Sequence, residues 1–301
     1  MMNTLSCEAE TKILQRLDEL EQKVGKLPSF VQLYRQWLRL QGEARLRFTT
    51  PKLNLGDDVI SSRLTQGIPL LPFEDLLLDW AQVKDLSQKI IHSVAKYSPD
   101  ALKEVKTLGN ILSNITFLKE IVRAWYQGSS LVPVALRHGV DGELLAPVVA
   151  AVLKPFLSAH SEVLLPKVDQ ESWRRQYCPI CGGRPDFAYL DKETGARWLL
   201  CSQCDAEWLF QRLECPYCGC QDQDALAYFT DDEGLYRLYV CEQCKRYLKA
   251  IDLRKTETEV LLPLERLLTF EFDIQARQNG YSPCAEVDTN EKGKEGLSCK
   301  Q

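Results

Sequence analysis

Four Cys-x-x-Cys pairs lie in one stretch of the chain: Cys178/Cys181, Cys201/Cys204, Cys215/Cys218 and Cys241/Cys244. Two residues between sulfurs let one tight turn aim both at a single ion, while the backbone N–H groups of the turn stabilise the thiolate charge. Gly182 and Gly219 directly follow the second cysteine of their pairs, where a residue able to take φ > 0 closes such a turn. Pro179 and Pro216 restrict the same turns from the other side. With 301 residues the chain can bury a core without staples, so the cysteines are not compensating for small size.

The stretch is also an internal repeat. C-P-I-C-G, a spacer and A-R-W-L-L-C-S-Q-C are matched by C-P-Y-C-G, a spacer and Y-R-L-Y-V-C-E-Q-C. Each spacer holds two short strand patterns, Phe187 to Leu190 and Ala196 to Leu200 in the first copy, Ala225 to Phe229 and Leu235 to Val240 in the second. The turn-like stretches Asp191 to Gly195 and Asp231 to Gly234 separate them. A hairpin in each copy would bring its two knuckles together. The expected sites are therefore Cys178, Cys181, Cys201 and Cys204 for one metal ion, and Cys215, Cys218, Cys241 and Cys244 for another, each a tetrahedral four-sulfur site. Interleaved ligation, first pair with third and second with fourth, is the alternative; four redox motifs would need helix starts that the repeat does not offer. Ligand type alone does not separate zinc from a single iron.

Cys220 is a ninth sulfur near the second site, read as a small exposed or half-buried residue, with ligand exchange or a reactive thiol as the alternative. Cys7, Cys284 and Cys299 have no partner at metal spacing, and His92, His138 and His160 all precede the cluster and read as ordinary helix or loop residues.

Ahead of the cluster, apolar residues recur at helical spacing. Ile13, Leu17, Leu20 and Val24 mark a first helix ending near Gly25, and Phe30, Leu33, Tyr34, Trp37, Leu38 and Leu40 a second after Pro28. Phe73, Leu76, Leu77 and Trp80 mark a third. Later helices are expected over Ile90 to Tyr97, over Leu102 to Trp125 with a break near Gly109, and over Leu144 to Leu157. After the cluster, one helix is expected from Pro263 to Gly280. The tail from Glu286 to Gln301 has almost nothing to bury and is expected to be disordered. The fold class is thus α+β: a helical domain over 1–170, ribbons over 171–211 and 212–255, a C-terminal helix over 256–284 that packs back on the helical domain, and a tail over 285–301.

A net charge of -5 gives no general attraction to nucleic acid or anionic lipid, and residues 174–254 hold 11 basic against 13 acidic side chains before any thiolate is counted. A nucleic-acid-binding zinc ribbon is therefore the weaker alternative, and a thiol oxidoreductase or sulfur carrier would need a metal-free, alkylatable cysteine. The longest charge-free apolar run, Leu144 to Leu153, is half of what a bilayer-spanning helix needs and contains Pro147, so no membrane insertion is expected. Residues 1–25 lack a signal core, which predicts a cytoplasmic chain. No metalloprotease, nucleophile-elbow, phosphate-loop or dinucleotide motif is present, and closed four-sulfur sites leave no coordination position for a substrate.

C-P-I-C-G-G-R-P at Cys178 to Pro185, W-L-L-C-S-Q-C-D-A-E-W at Trp198 to Trp208, C-P-Y-C-G at Cys215 to Gly219 and V-C-E-Q-C-K-R-Y-L-K at Val240 to Lys249, behind a helical preface, resemble the formate dehydrogenase accessory protein family, FdhE. The segment A-R-Q-N-G-Y at Ala276 to Tyr281 is similar to that family's C-terminal part, and the resemblance covers roughly residues 60 to 282. It implies a cytoplasmic maturation factor, not a formate-oxidising enzyme, whose partner is the catalytic subunit of a formate dehydrogenase. It also implies two rubredoxin-like sites on the eight paired cysteines, with iron preferred and zinc as the alternative.

Overall fold

The computed structural model describes residues 4–49, 53, 55–98, 101–140 and 142–283. The expected disordered tail, Cys284, Cys299 and the side chain of Cys7 lie outside the described residues. The fold is α+β: helices first, then a mixed sheet carrying all four cysteine pairs, then two short helices.

The helices are α1 (Thr4–Val24), α2 (Ser29–Arg47), α3 (Asp57–Gln66), α4 (Trp80–Tyr97), α5 (Leu102–Ser113), α6 (Ile115–Tyr126), α7 (Val132–Arg137) and α8 (Gly142–Leu164). The apolar stripe from Phe73 to Trp80 is not a helix. Phe73–Asp75 is a single 3₁₀ turn, Leu77 points to solvent, and α4 begins only where Asp79 accepts hydrogen bonds from the Ala81 and Gln82 backbone N–H groups. The expected break at Gly109 falls instead at Asn114, which caps α6 by accepting from the N–H groups of Thr116 and Phe117. Gly109 stays inside α5, where its carbonyl takes a hydrogen bond from Gln88. Short α3 buries only Ile60 and Leu64, and α7 only Ala135, too few apolar positions for periodicity to reveal either.

Helix α8 is the axis of the main core, with Val148, Val149, Val152, Leu153, Phe156 and Leu157 buried against neighbouring helices. Its apolar character runs past the ten residues anticipated: Leu144–Lys167 is long and apolar enough, by length and composition, to cross a membrane, and 67% of its most apolar window is buried inside the structure. Pro147 and Pro155 both sit within the helix, past its first turn.

The sheet joins what the repeat suggested as separate ribbons. Each copy contributes three strands, β1 (Pro185–Leu190), β2 (Arg197–Cys201) and β3 (Glu207–Phe210), then β4 (Leu226–Thr230), β5 (Tyr236–Cys241) and β6 (Arg246–Asp252). The order is β3-β2-β1-β6-β5-β4, antiparallel within each copy and parallel where β1 meets β6. Pro185 faces Cys201 and Leu226 faces Cys241, so the two copies keep one register. Arg197, 3% exposed, ties the copies together: its guanidinium donates to the carbonyls of Gln211 and Glu214 and lies over the rings of Phe210 and Tyr239.

The expected single C-terminal helix is two, α9 (Leu262–Leu268) and α10 (Phe270–Gln278), divided at Thr269, whose hydroxyl bonds back to the Glu265 carbonyl. Leu264 of α9 is buried with Ile13, Leu17, Val31 and Leu38 of the first two helices, whereas Ala276 of α10 packs on Leu238, Val240 and Tyr247 of the sheet.

Candidate metal centres

Each site is built from two turns, one ahead of a hairpin and one behind it. In the first, the Cys178 and Cys204 sulfurs are 3.6 Å apart, and Cys181 lies 3.5 Å from both Cys201 and Cys204. In the second, Cys215 and Cys244 are 3.7 Å apart, as are Cys218 and Cys241. Within each group all four Sγ atoms fall within 4.8 Å of one another. A disulfide needs about 2.05 Å. Four sulfurs at metal–thiolate bonds of about 2.3 Å form a tetrahedron with edges of about 3.8 Å. The spacing therefore fits a tetrahedral ion and not paired disulfides, and the sulfurs are grouped in chain order rather than interleaved.

The turns have the backbone the sequence implied at Gly182 (φ +74) and Gly219 (φ +76), and the two trailing turns use the same left-handed position with Asp205 (φ 56) and Lys245 (φ 53). Backbone N–H groups of Ile180, Gly183 and Gln203 point at the sulfurs of Cys178, Cys181 and Cys201 at 3.3, 3.4 and 3.4 Å. Gly183 has its own requirement, since a Cβ there would meet the Cys201 sulfur at 3.0 Å and the Gln203 side chain at 2.9 Å.

The two centres differ in setting. The first is buried at all four cysteines, between 0 and 5% exposed, and belongs to the main hydrophobic core. The chain just before the 3₁₀ turn at Phe73 is stitched to it: the N–H groups of Leu70 and Leu71 donate to the carbonyls of Pro179 and Ile180 at 2.8 Å, and the Tyr126 hydroxyl donates to the Leu71 carbonyl at 2.5 Å. Burial pushes the Cys178 and Cys181 thiols well up, so ionising this group inside the core calls for a cation among the sulfurs. In the second centre Cys215 and Cys241 are buried, Cys244 is half-buried and Cys218 is exposed. The hydrogen bond from Cys244, with the Cys218 and Tyr217 N–H groups, brings the Cys215 thiol down to about 5.

Sequence reasoning did not find the charged cluster behind the first centre. Asp205 takes Lys154 at 2.5 Å and Arg266 at 2.7 Å; Arg266 also reaches Asp186 at 3.2 Å and the Cys201 carbonyl at 3.3 Å. Burial would raise the Asp205 carboxyl, but Lys154 and Arg266 outweigh it and hold it below the usual carboxylate range. This cluster links α8, the Cys201–Cys204 turn and α9. The Asp-x-Glu-Trp run contains Asp205 and Trp208, whose indole donates to the Arg175 carbonyl at 2.8 Å, but the spacing gave neither partner.

Cys220 stands in neither sulfur group and packs beside Cys215 and Cys241, but at 7% exposed it is buried, deeper than the exposed or half-buried residue expected. No histidine joins either group among the described residues: buried His160 uses Nδ1 on the Phe156 carbonyl, and His138 lies against the Phe117 ring.

Fold and sites together define a helical protein bearing a duplicated four-cysteine ribbon sheet. A family model described as the FdhE central domain matches residues 177–212, the first copy of the repeat. The chain is 27% identical to an FdhE homolog from Aquifex aeolicus over 93% of its length and 95% of that protein, and 28% identical to FdhE of an Escherichia coli O127:H6 strain over 46% of this chain and 45% of that one. The crystal structure of the FdhE protein from Pseudomonas aeruginosa shares the fold at a TM-score of 0.61 and 20% identity, covering 94% of this chain and 95% of the other. The chain is thus similar to FdhE proteins along nearly its whole length, and its first cysteine copy matches their central domain.

Proposed function

We propose that the chain is a cytoplasmic maturation factor that binds the immature catalytic subunit of a formate dehydrogenase through its metal-bearing sheet. The similarity to FdhE proteins supports the coarse reading, an accessory protein related to formate dehydrogenase. The observation that carries the finer one is the contrast between the two sulfur groups: one locked in the core, the other opening to solvent at exposed Cys218 and half-buried Cys244.

In this reading Cys178, Cys181, Cys201 and Cys204 hold one ion and Cys215, Cys218, Cys241 and Cys244 another; the FdhE resemblance, not the ligand type, is what prefers iron over zinc. Bound iron would supply one-electron chemistry, whereas zinc would supply rigidity alone. With four thiolates closing each site, the chain's residues position and present; they do not activate a substrate, and we assign the protein no catalysis. The first site fixes the sheet on the helices, and the second orders the outer copy.

Cys178→Ser and Cys215→Ser in the full-length chain test this. Each is expected to remove about one of two metal equivalents and to abolish capture of the catalytic subunit on co-expression, with loss of formate dehydrogenase activity in the same cells. Wild-type dehydrogenase activity with either variant would refute the reading. A reversible visible iron spectrum from protein purified without added metal is expected; a colourless zinc protein would leave docking without electron transfer.

A further inference from the structure

The sheet has two edges, and they are treated differently. At β3, the Leu209 N–H is taken by the Gln170 side chain and the Trp208 indole by the Arg175 carbonyl, so the segment before the first cysteine pair covers that edge. At β4 the sheet ends among the described residues. The Asp231 N–H bonds to the Tyr236 carbonyl and the Glu242 N–H to the Ala225 carbonyl, so residues 225, 227, 229 and 231 bond toward β5. The N–H and C=O groups of Leu226, Tyr228 and Thr230 therefore face outward. Strand edges in soluble proteins are usually blunted by lysine, proline or a bulge. The strand L-A-Y-F-T has none of these, and it exposes Tyr228 at 53% and Phe229 at 50%.

The internal repeat shows what such an edge accepts. Register makes β4 the counterpart of β1, since Leu226 and Pro185 face the equivalent cysteines Cys241 and Cys201. The outer edge of β1 is filled by a parallel strand, β6, in the register Phe187 to Lys249, Ala188 to Ala250 and Tyr189 to Ile251. Among the described residues the same edge of the second copy has no strand. Its surroundings carry an acidic excess: residues 213–236 contain six acidic side chains and no lysine, arginine or histidine, and the Arg237 guanidinium that lies over the Tyr228 ring is already paired with Asp252. Asp224, Asp232 and Glu233 at either end of β4 are exposed. Two copies of this chain would bring acidic clusters together there, and β3, the strand that would continue the series, is covered.

We propose that the free edge of β4 takes an extended, basic segment of a partner polypeptide as a seventh strand of the sheet. Main-chain hydrogen bonds from Leu226, Tyr228 and Thr230 hold it, and the flanking carboxylates select its charge. This inference rests on the docking reading above, naming the surface that does the docking.

The test uses the full-length, metal-loaded chain and a fluorescein-labelled ten-residue peptide alternating threonine and lysine, with a threonine–glutamate peptide as control, followed by fluorescence anisotropy. The lysine peptide is expected to bind, to weaken as salt is raised, and to bind at least about tenfold better than the control. Tyr228→Pro removes one outward N–H without touching a bond to β5 and is expected to weaken binding about tenfold at unchanged metal content. Should that variant fold poorly, the triple change Asp224→Asn, Asp232→Asn, Glu233→Gln leaves the ladder alone and is expected to erase the preference for lysine. No binding, equal binding of both peptides, or indifference to both variants overturns the proposal. So does a dimer of the free chain that Tyr228→Pro dissolves, which would assign the edge to a second copy. If wild type and Tyr228→Pro capture the dehydrogenase subunit equally, the edge assignment fails and the maturation reading stands. If wild type binds the peptide but captures no subunit, the maturation reading fails alone.

Discussion

Asp252 has no exposed side-chain surface and is shared by two guanidinium groups, Arg237 at 2.6 Å and Arg254 at 2.7 Å. The hydrogen bonds from Arg254, with Arg237 beside it, hold its carboxyl down at about 2, against 3.8 for the free side chain. A depressed acid stabilises the folded state above its unfolded value and loses that contribution as pH falls from about 4 to about 2. Asp252→Ala is expected to cost about 3 kcal/mol at neutral pH, measured by urea unfolding, because it leaves the largely enclosed Arg237 guanidinium, 12% exposed, without its carboxylate. Glu10 behaves in the opposite sense. Burial, opposed by Arg45 and reinforced by Glu162, pushes it up to about 7 from 4.5, so the native state is penalised as pH rises between those values. Glu10→Gln removes that penalty: relative to wild type it is expected to gain about 1 kcal/mol in unfolding free energy between pH 4.5 and 7.5. A flat difference across that range would mean Glu10 stays hydrated in the fold.

At the scale of elements, helix boundaries follow caps more closely than apolar spacing. Asp79→Ala, which strips the first two satisfied N–H groups from α4, is expected to cost about 1 kcal/mol by the same unfolding measurement. The failed third helix shows why spacing misled. Leu76 is buried and Leu77 exposed in a loop whose apolar residues fill gaps between helices, so their recurrence imitates a helical face without forming one. The strands tell a similar story. Both hairpins were readable from alternating residues between the cysteine pairs. By contrast, β3 and β6 follow the trailing turns directly, and their partners, β2 and β1, cannot be inferred from local pattern. The eight cysteines were legible because metal spacing is a local property. The salt-bridge cluster at Asp205 was not, because its members lie on α8, a turn and α9, more than fifty residues apart.

For the molecule as a whole, the unequal settings of the two centres predict two-stage metal loss. A chelator in excess is expected to strip the ion held by exposed Cys218 and its partners first, with helical circular dichroism unchanged. The second equivalent is expected to leave only as the whole chain unfolds, since Cys178, Cys181, Cys201 and Cys204 are part of the main core. Release of both ions in a single phase, followed by colorimetric metal detection and circular dichroism together, would contradict this order. The parallel junction of β1 and β6 has a further consequence for the chain as it leaves the ribosome. The first cysteine quartet is complete once residue 204 has emerged, yet the flank of β1 stays bare until residue 252 is made. During that interval the nascent polypeptide shows an unfilled β-strand that the finished protein hides, and synthesis of the second copy is what closes it.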